Sequence, residues 1–141
     1  MYKHILLAVD LSQEGAQVVD KAIALQKVHS SHLTLAHVVE PISYAYGDIA
    51  INAGEIQHRL KTSSDDHLQR IVEKNDLTDT TCITLYGKAA NEIHHYAEQH
   101  NVDLIVTGSH GRHGLQLLLG STANGILHGA NCDVLAVRIK A

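Results

Sequence analysis

The sequence predicts an α/β fold in which one open, five-stranded parallel sheet carries helices on both faces. Short apolar runs alternate with helical patterns along all 141 residues. The strand-like runs are apolar on both faces, which is typical of parallel strands covered on both sides. The chain contains no Phe and no Trp, so we expect a core of aliphatic side chains.

Five strands and four helices follow from the pattern. The predicted strands are Ile5–Val9, Leu33–Val39, Thr81–Tyr86, Asp103–Thr107 and Val134–Ile139. The first helix is expected to begin with Ser12 as its N-cap and Glu14 in its first turn, where the helix dipole favours an anion. The other helices are predicted around Ile56–Val72, Ala89–Ala97 and Ser121–His128. Right-handed crossovers favour the strand order 3-2-1-4-5. No linker or repeat divides the chain, so residues 1–141 are predicted to form one domain.

Composition excludes several classes of function. The formal net charge is −4 and Lys/Arg residues are not clustered, so we expect neither nucleic acid nor an anionic membrane as a partner. No apolar run approaches 18 residues, and the N-terminus lacks the pattern of a signal peptide, which predicts a cytoplasmic protein. Cys82 and Cys132 lie within apolar runs and are predicted to be buried thiols. The 12 histidines are scattered without metal-ligand spacing, so no metal site is predicted.

The candidate site lies where the direction of winding reverses, beyond the carboxyl ends of the first and fourth strands. Asp10 ends the first of these strands, and a glycine-rich stretch with Gly108, Gly111 and Gly120 follows the fourth. Glycines let successive backbone N–H groups face an anion, and Ser121 opens a helix whose N-terminus has free donors. Together these groups are suited to a polyphosphate. Asp10 would repel phosphate, so its expected role is to accept hydrogen bonds from a nucleoside or to hold a bridging cation.

Two other interpretations of this stretch stay open at the level of the residues. The glycines can serve only as a turn, because the stretch has neither a Walker A pattern nor a dinucleotide fingerprint. It can also belong to an enzyme, with His110 and His113 as the best general-base candidates. The nearby serines, however, lack an identifiable base and orienting acid. We therefore predict that the protein is not an enzyme.

Several motifs together resemble the universal stress protein family. They are Gly-Ser-His-Gly at 108–111, Gly-Ser-Thr at 120–122, and Val-Leu-Ala-Val-Arg at 134–138. The opening segment Tyr2–Ser12 is similar to the universal stress protein A subgroup, and Gly87-Lys88-Ala89-Ala90 also fits. The resemblance covers essentially the whole chain. It implies the universal stress protein fold, which is of the adenine nucleotide alpha hydrolase-like type.

The family resemblance also implies a choice between two branches, of which one binds ATP. The ATP-binding branch carries Gly-x-x-Gly, nine residues, and then Gly-Ser/Thr, which corresponds here to Gly108, Gly111, Gly120 and Ser121, together with Asp10. Only eight residues, Arg112 to Leu119, separate Gly111 from Gly120. One missing residue displaces backbone donors by about one Cα–Cα step, which is enough to break hydrogen bonds. We therefore expect no cofactor, a vestigial or weak ATP site, and a non-enzymatic cytoplasmic stress-response protein. The alternative is an ATP-binding protein that acts as a nucleotide-dependent switch.

The fifth predicted strand, Val134 to Ile139, suggests a partner. It is an apolar edge strand without Pro, and exposed edges of this kind are normally paired or covered. The family resemblance implies a homodimer, in which two such strands meet across a two-fold axis. Coverage of the edge by a loop of the same chain is the alternative. The sequence does not identify a further regulatory partner.

Overall fold

The computed structural model describes residues 1–41, 53–109 and 119–140. The chain alternates strands and helices in the order β1 (His4–Ala8), α1 (Gly15–His29), β2 (His32–Val39), α2 (Ala53–Lys74), β3 (Thr80–Tyr86), α3 (Ala89–Gln99), β4 (Leu104–Gly108), α4 (Ser121–Gly129) and β5 (Asp133–Val137). The sheet order is β3-β2-β1-β4-β5, and every pairing is parallel. The predicted fold class and strand order are confirmed.

β1 is the central strand, because two strands lie on each side of it in the sheet. Its register places His4 beside His32 of β2, and Leu7 beside Val106 of β4. Ile5, Leu6 and Leu7 are completely buried, as expected of a strand that is covered on both faces. The winding reverses between β1 and β4, so the carboxyl ends of these two strands form the crevice that the sequence predicts.

Alternate residues of β1 enter two separate cores, as the period of two in a strand requires. Ile5 and Leu7 pack on the face that carries α1 and α2, with Val18 and Leu68 among the buried members. Leu6 packs on the opposite face, with Ile93 of α3 and Ile126 of α4. Burial of each such side chain contributes about 1.5–3 kcal/mol to stability. The aliphatic core therefore fixes the sheet beneath the crevice from both sides.

The first helix begins later than predicted. α1 starts at Gly15, with Glu14 as the N-cap residue, and no side chain caps it. Ser12 is not the N-cap, because the helix starts three residues after it. Its backbone N–H donates to Oδ1 of Asp10 at 3.0 Å, and its carbonyl accepts the N–H of Gly15 at 3.1 Å. The prediction of Ser12 as the cap was therefore wrong: the aspartate side chain draws these residues into a turn before the helix.

The C-terminal segment also departs from its predicted bounds. β5 ends at Val137, two residues before the predicted end. Ile139 is buried in the core, and Lys140 is tied to Gln17 of α1 through two hydrogen bonds of 2.6 and 2.9 Å. The Ile139 N–H donates to the side-chain Oγ of Ser109 at 3.4 Å and not to a backbone carbonyl, so the regular pairing with β4 ends there.

The two cysteines are only partly buried, so the prediction of buried thiols was wrong in degree. Cys82 lies on the edge strand β3, and Cys132 lies just before β5, where neighbouring elements cover them incompletely. Burial is nevertheless the main cause that raises the pKa of both thiols. No helix in the described ranges is both long and apolar enough to cross a bilayer.

Candidate functional site

A cavity of about 220 Å³ lies beyond the carboxyl ends of β1 and β4. The starts of α1, α3 and α4 border it, through Gly15, Ala89 and Thr122. Its described lining is apolar apart from five polar side chains, which are those of Asp10, His37, Glu40, Thr107 and Thr122. Pockets that enclose drug-sized ligands begin at about 300 Å³, so this cavity matches only part of a nucleotide.

Asp10 sits at the rim of the cavity and is fixed by its own turn. Its Oδ1 accepts the Ser12 N–H at 3.0 Å, and none of the described residues donates a hydrogen bond to its other oxygen. The start of α1 also lies close to the backbone of Asp10: a Cβ added to Gly15 would lie 2.5 Å from the Asp10 carbonyl oxygen. Only glycine allows α1 to start this close to β1. Gly15 is therefore a positioning residue that the sequence analysis missed, although a glycine five residues after the strand-end aspartate was visible as a signal.

The glycines of the predicted site differ in whether the structure requires a glycine at their positions. A Cβ on Gly108 would lie 2.9 Å from Cδ1 of Ile139 and 3.4 Å from Cγ2 of Val18, so Gly108 makes room for core packing. Gly120 is the N-cap of α4 with φ −63° and ψ 158°, a conformation that any residue adopts. Gly111 lies outside the described residues, as do His110 and His113. The assignment of these glycines to a ligand stays a prediction.

The two ends of the glycine-rich stretch are joined by a backbone hydrogen bond. The N–H of Gly120 donates to the carbonyl of Ser109 at 2.6 Å, and the N–H of Ser109 donates to the carbonyl of Val137 at 2.8 Å. The Gly120 N–H is thus already used within the protein. The donors left at this end of α4 are those of its first turn, which begins with the exposed Ser121 and continues with Thr122 at the cavity.

The charge at the cavity is negative. Asp10 and Glu40 both line it, and its described lining contains neither Lys nor Arg. Glu40 is engaged with α3, because its Oε1 accepts the Ala89 N–H at 3.3 Å. Nδ1 of His37 donates to the Val9 carbonyl at 2.8 Å. In the neutral ring Nε2 is therefore a hydrogen-bond acceptor. Apolar walls with a few acceptors suit the base and hydroxyls of a nucleoside better than its phosphates.

His37 and Glu40 were also missed by the sequence analysis, which considered only the ends of the first and fourth strands. Both lie at the carboxyl end of β2, which is the direct parallel neighbour of β1. The carboxyl ends of neighbouring parallel strands meet at one edge of the sheet, so the predicted strand order already contained this signal. Among the described residues, no cluster of three or more His, Cys, Asp or Glu is arranged to hold a metal ion.

A sequence model of the universal stress protein family matches residues 1–138. The chain belongs to this family. Universal stress protein A homologs 1 and 2 of Coxiella burnetii are 39% and 40% identical to it, and each alignment covers 99% of this chain and 98% or 97% of the homolog. The family resemblance of the motifs, including the likeness to universal stress protein A, is confirmed.

Solved structures of the family share the fold. Universal stress protein UspA from Lactobacillus plantarum is 25% identical, with a TM-score of 0.78 over 97% of this chain and 98% of that one. A universal stress protein in complex with cAMP has a TM-score of 0.69 at 21% identity, covering 97% of both chains. One from Archaeoglobus fulgidus in complex with dAMP has a TM-score of 0.63 at 15% identity, covering 99% of this chain and 98% of that one.

Proposed function

We propose that this universal stress protein is a non-enzymatic, cytoplasmic stress-response protein that acts as a homodimer, through regulatory partners, and binds little or no ATP. The observation that carries the proposal is the spacing of the glycines. Eight residues separate Gly111 from Gly120, where the family's ATP-binding pattern has nine. The loop therefore lacks the length that would bring its donors around a triphosphate.

The described walls of the cavity support the same proposal. A triphosphate would lie near the carboxylates of Asp10 and Glu40, without Lys or Arg in the described lining to offset them. Like charges that share a site repel, and the repulsion grows where water is excluded. The Gly120 N–H, one of the donors expected to face the phosphates, is committed to Ser109. Of the parts of ATP, the polyphosphate is the one that the described lining is least suited to hold.

The test is calorimetric titration of the purified protein with ATP and Mg²⁺. We expect a Kd above about 1 mM, which corresponds to a binding free energy weaker than about −4 kcal/mol. A variant with one glycine inserted after Gly114 restores the nine-residue spacing and is expected to bind ATP more tightly. Gly114→Ala, which changes the same position without changing the spacing, is the control and is expected to leave ATP binding unchanged. Micromolar binding by the unaltered protein would contradict the proposal.

The alternative function is an ATP-binding switch. It is favoured by the occurrence of cAMP and dAMP in structures of the same fold and by the position of Asp10 beside the cavity. Nucleotide that copurifies with the protein and is lost in Asp10→Ala would support this alternative. Sustained nucleotide hydrolysis that stops when His110 or Asp10 is changed would instead support an enzyme.

The proposed homodimer forms through β5. This strand is at the edge of the sheet and pairs with β4 alone among the described strands. Val134 and Leu135 are only partly buried, and Ala136 is exposed. An apolar strand with free backbone donors and acceptors on its outer side is a template for pairing. A second copy related by a two-fold axis provides the same strand in the complementary orientation.

Substitution of Ala136 by Glu tests this interface. A carboxylate opposite its own symmetry mate would be both desolvated and repelled, so we expect Ala136→Glu to sediment as a monomer where the unaltered protein is a dimer. Ala24→Glu is the matched control, because Ala24 is equally classed as exposed but lies on α1. A dimer that persists in Ala136→Glu would refute the β5 interface.

A further inference from the structure

A second cavity, the α1–α2 groove, lies between the start of α1 and the C-terminal half of α2. Its volume is about 290 Å³. It meets the first cavity at Asp10, Gly15 and Val19, which line both, but it opens between the two helices. Its polar lining consists of Asp10, Ser12, Gln13, Asp20, His67, Arg70, Lys74 and Asn75. A cavity of this size with so many polar groups is not required by core packing.

The wall formed by α2 is cationic. His67, Arg70 and Lys74 are spaced by three and four residues, which places them on one side of the helix. Neither Arg70 nor Lys74 lies within 4.0 Å of a carboxylate in the described parts of the chain, where the ion pairs are those of His32, Arg59 and Lys61. Two exposed cationic side chains therefore line the groove without a charged partner among the described residues.

His67 lines this wall, and its pKa is lowered. Burial is the main cause that lowers its pKa, and the positive charges of Arg70 and His37 lower it further. An anion placed beside His67 would offset the charge of Arg70 and would raise this pKa again.

The wall formed by α1 and the turn before it has the opposite chemistry. Asp10, Ser12, Gln13 and Asp20 present carboxylate, hydroxyl and amide oxygens there. One oxygen of Asp10 is taken by the Ser12 N–H, and Asp20 is exposed on α1. Carboxylates of this kind accept hydrogen bonds from sugar hydroxyls, as acidic residues do from ribose in nucleotide sites.

We propose that the α1–α2 groove binds a phosphorylated polyol, a small molecule with a phosphate monoester at one end and hydroxyl groups at the other. The phosphate contacts Arg70 and Lys74, and the hydroxyls contact Asp10 and Asp20. Arginine matches phosphate geometry through paired N–H groups, and lysine adds a point charge. A simple anion would contact the cationic wall, but it would also face the carboxylates of the opposite wall, which repel it. This proposal does not depend on the absence of ATP from the first cavity.

The experiment titrates the full-length protein with ribose 5-phosphate, inorganic phosphate and ribose, each followed by calorimetry and by NMR of the His67 ring. Ribose 5-phosphate is expected to bind at least about tenfold more tightly than either fragment, since only it engages both walls. Its phosphate is also expected to raise the pKa of His67. Equal affinities for ribose 5-phosphate and inorganic phosphate would overturn the proposal, as would binding that leaves the His67 titration unmoved.

Arg70→Gln is expected to weaken binding of ribose 5-phosphate by about threefold to fivefold, the loss of one charge-assisted contact at a solvent-exposed side chain. Arg59→Gln is the matched control: it lies on the same helix about 16 Å away along the axis and loses only an exposed pair with Glu55. The control is expected to bind like the unaltered protein. Thermal unfolding of both variants verifies that they fold. Unchanged affinity in a folded Arg70→Gln variant would refute the site.

Discussion

Replacement of Gly15 by Ala is expected to lower the free energy of unfolding by about 3 kcal/mol, the upper part of the range for overpacking a tight site. The added Cβ would lie 2.5 Å from the carbonyl oxygen of Asp10. That oxygen belongs to the backbone, so a side-chain rotation cannot relieve the overlap. Either α1 or the turn from Asp10 to Ser12 must shift, and a shift of the turn displaces the carboxylate that the two cavities share.

Chemical denaturation measures this effect, and a matched control is available. Gly54→Ala adds the same methyl group near the start of α2, where nothing lies within 4 Å of the new Cβ. Since Ala favours helix over Gly, this control is expected to be neutral or slightly stabilising. For Gly15→Ala the expected loss corresponds to a fall in Tm of about 10 °C in a domain of this size. Equal stability of the two variants would show that the close approach of α1 to β1 is not needed.

Ile93→Ala is expected to destabilise the protein by about 3 kcal/mol, within the range for truncation of a buried aliphatic side chain. Ile93 is completely buried between α3 and the sheet, in the cluster that contains Leu6 and Ile126. It also lines the cavity beyond β1 and β4. Removal of three carbon atoms loses about 0.8 kcal/mol each, and the contacts left unfilled add the remainder.

The control for this truncation is Leu127→Ala on the neighbouring helix α4. Leu127 is 52% exposed, so the same loss of aliphatic carbons is expected to change the free energy of unfolding by less than about 0.5 kcal/mol. Urea denaturation with a common slope compares the two variants directly. If Ile93→Ala were as stable as Leu127→Ala, the core on the α3 side would not be tightly packed around the cavity.

The sequence predicted the sheet correctly because its signals are local and repeated. Each strand is a short apolar run, and the handedness of the crossovers restricts how the runs can be ordered. The start of α1 was predicted wrongly because Ser12 and Glu14 have the composition of a helix start. The competing hydrogen bond from Ser12 to the Asp10 side chain depends on a turn that composition does not reveal. The end of β5 coincides with long-range contacts that the local pattern does not reveal, those of Ile139 with Ser109 and of Lys140 with Gln17.

The position of the candidate site was predictable from the sequence, but the charge of its lining and the hydrogen bonding of its backbone donors were not. The rule for open parallel sheets places it at Asp10 and Gly108, and the cavity is found there. Its negative character arises from Glu40, which joins Asp10 only because β2 lies beside β1. The use of the Gly120 N–H by Ser109 could not be foreseen, since glycine patterns do not specify which backbone donors are already taken. The cationic side of α2 likewise carries no motif.

The hydrogen bond between the Gly120 N–H and the Ser109 carbonyl has a consequence for how this family can diversify. It pins together the two points where the chain leaves β4 and enters α4, so both elements are anchored independently of what connects them. The entropic cost of closing a loop changes only slowly with its length. We therefore expect this scaffold to tolerate insertions and deletions between the two points, so that ligand preference can change with loop length without a matching change in the core.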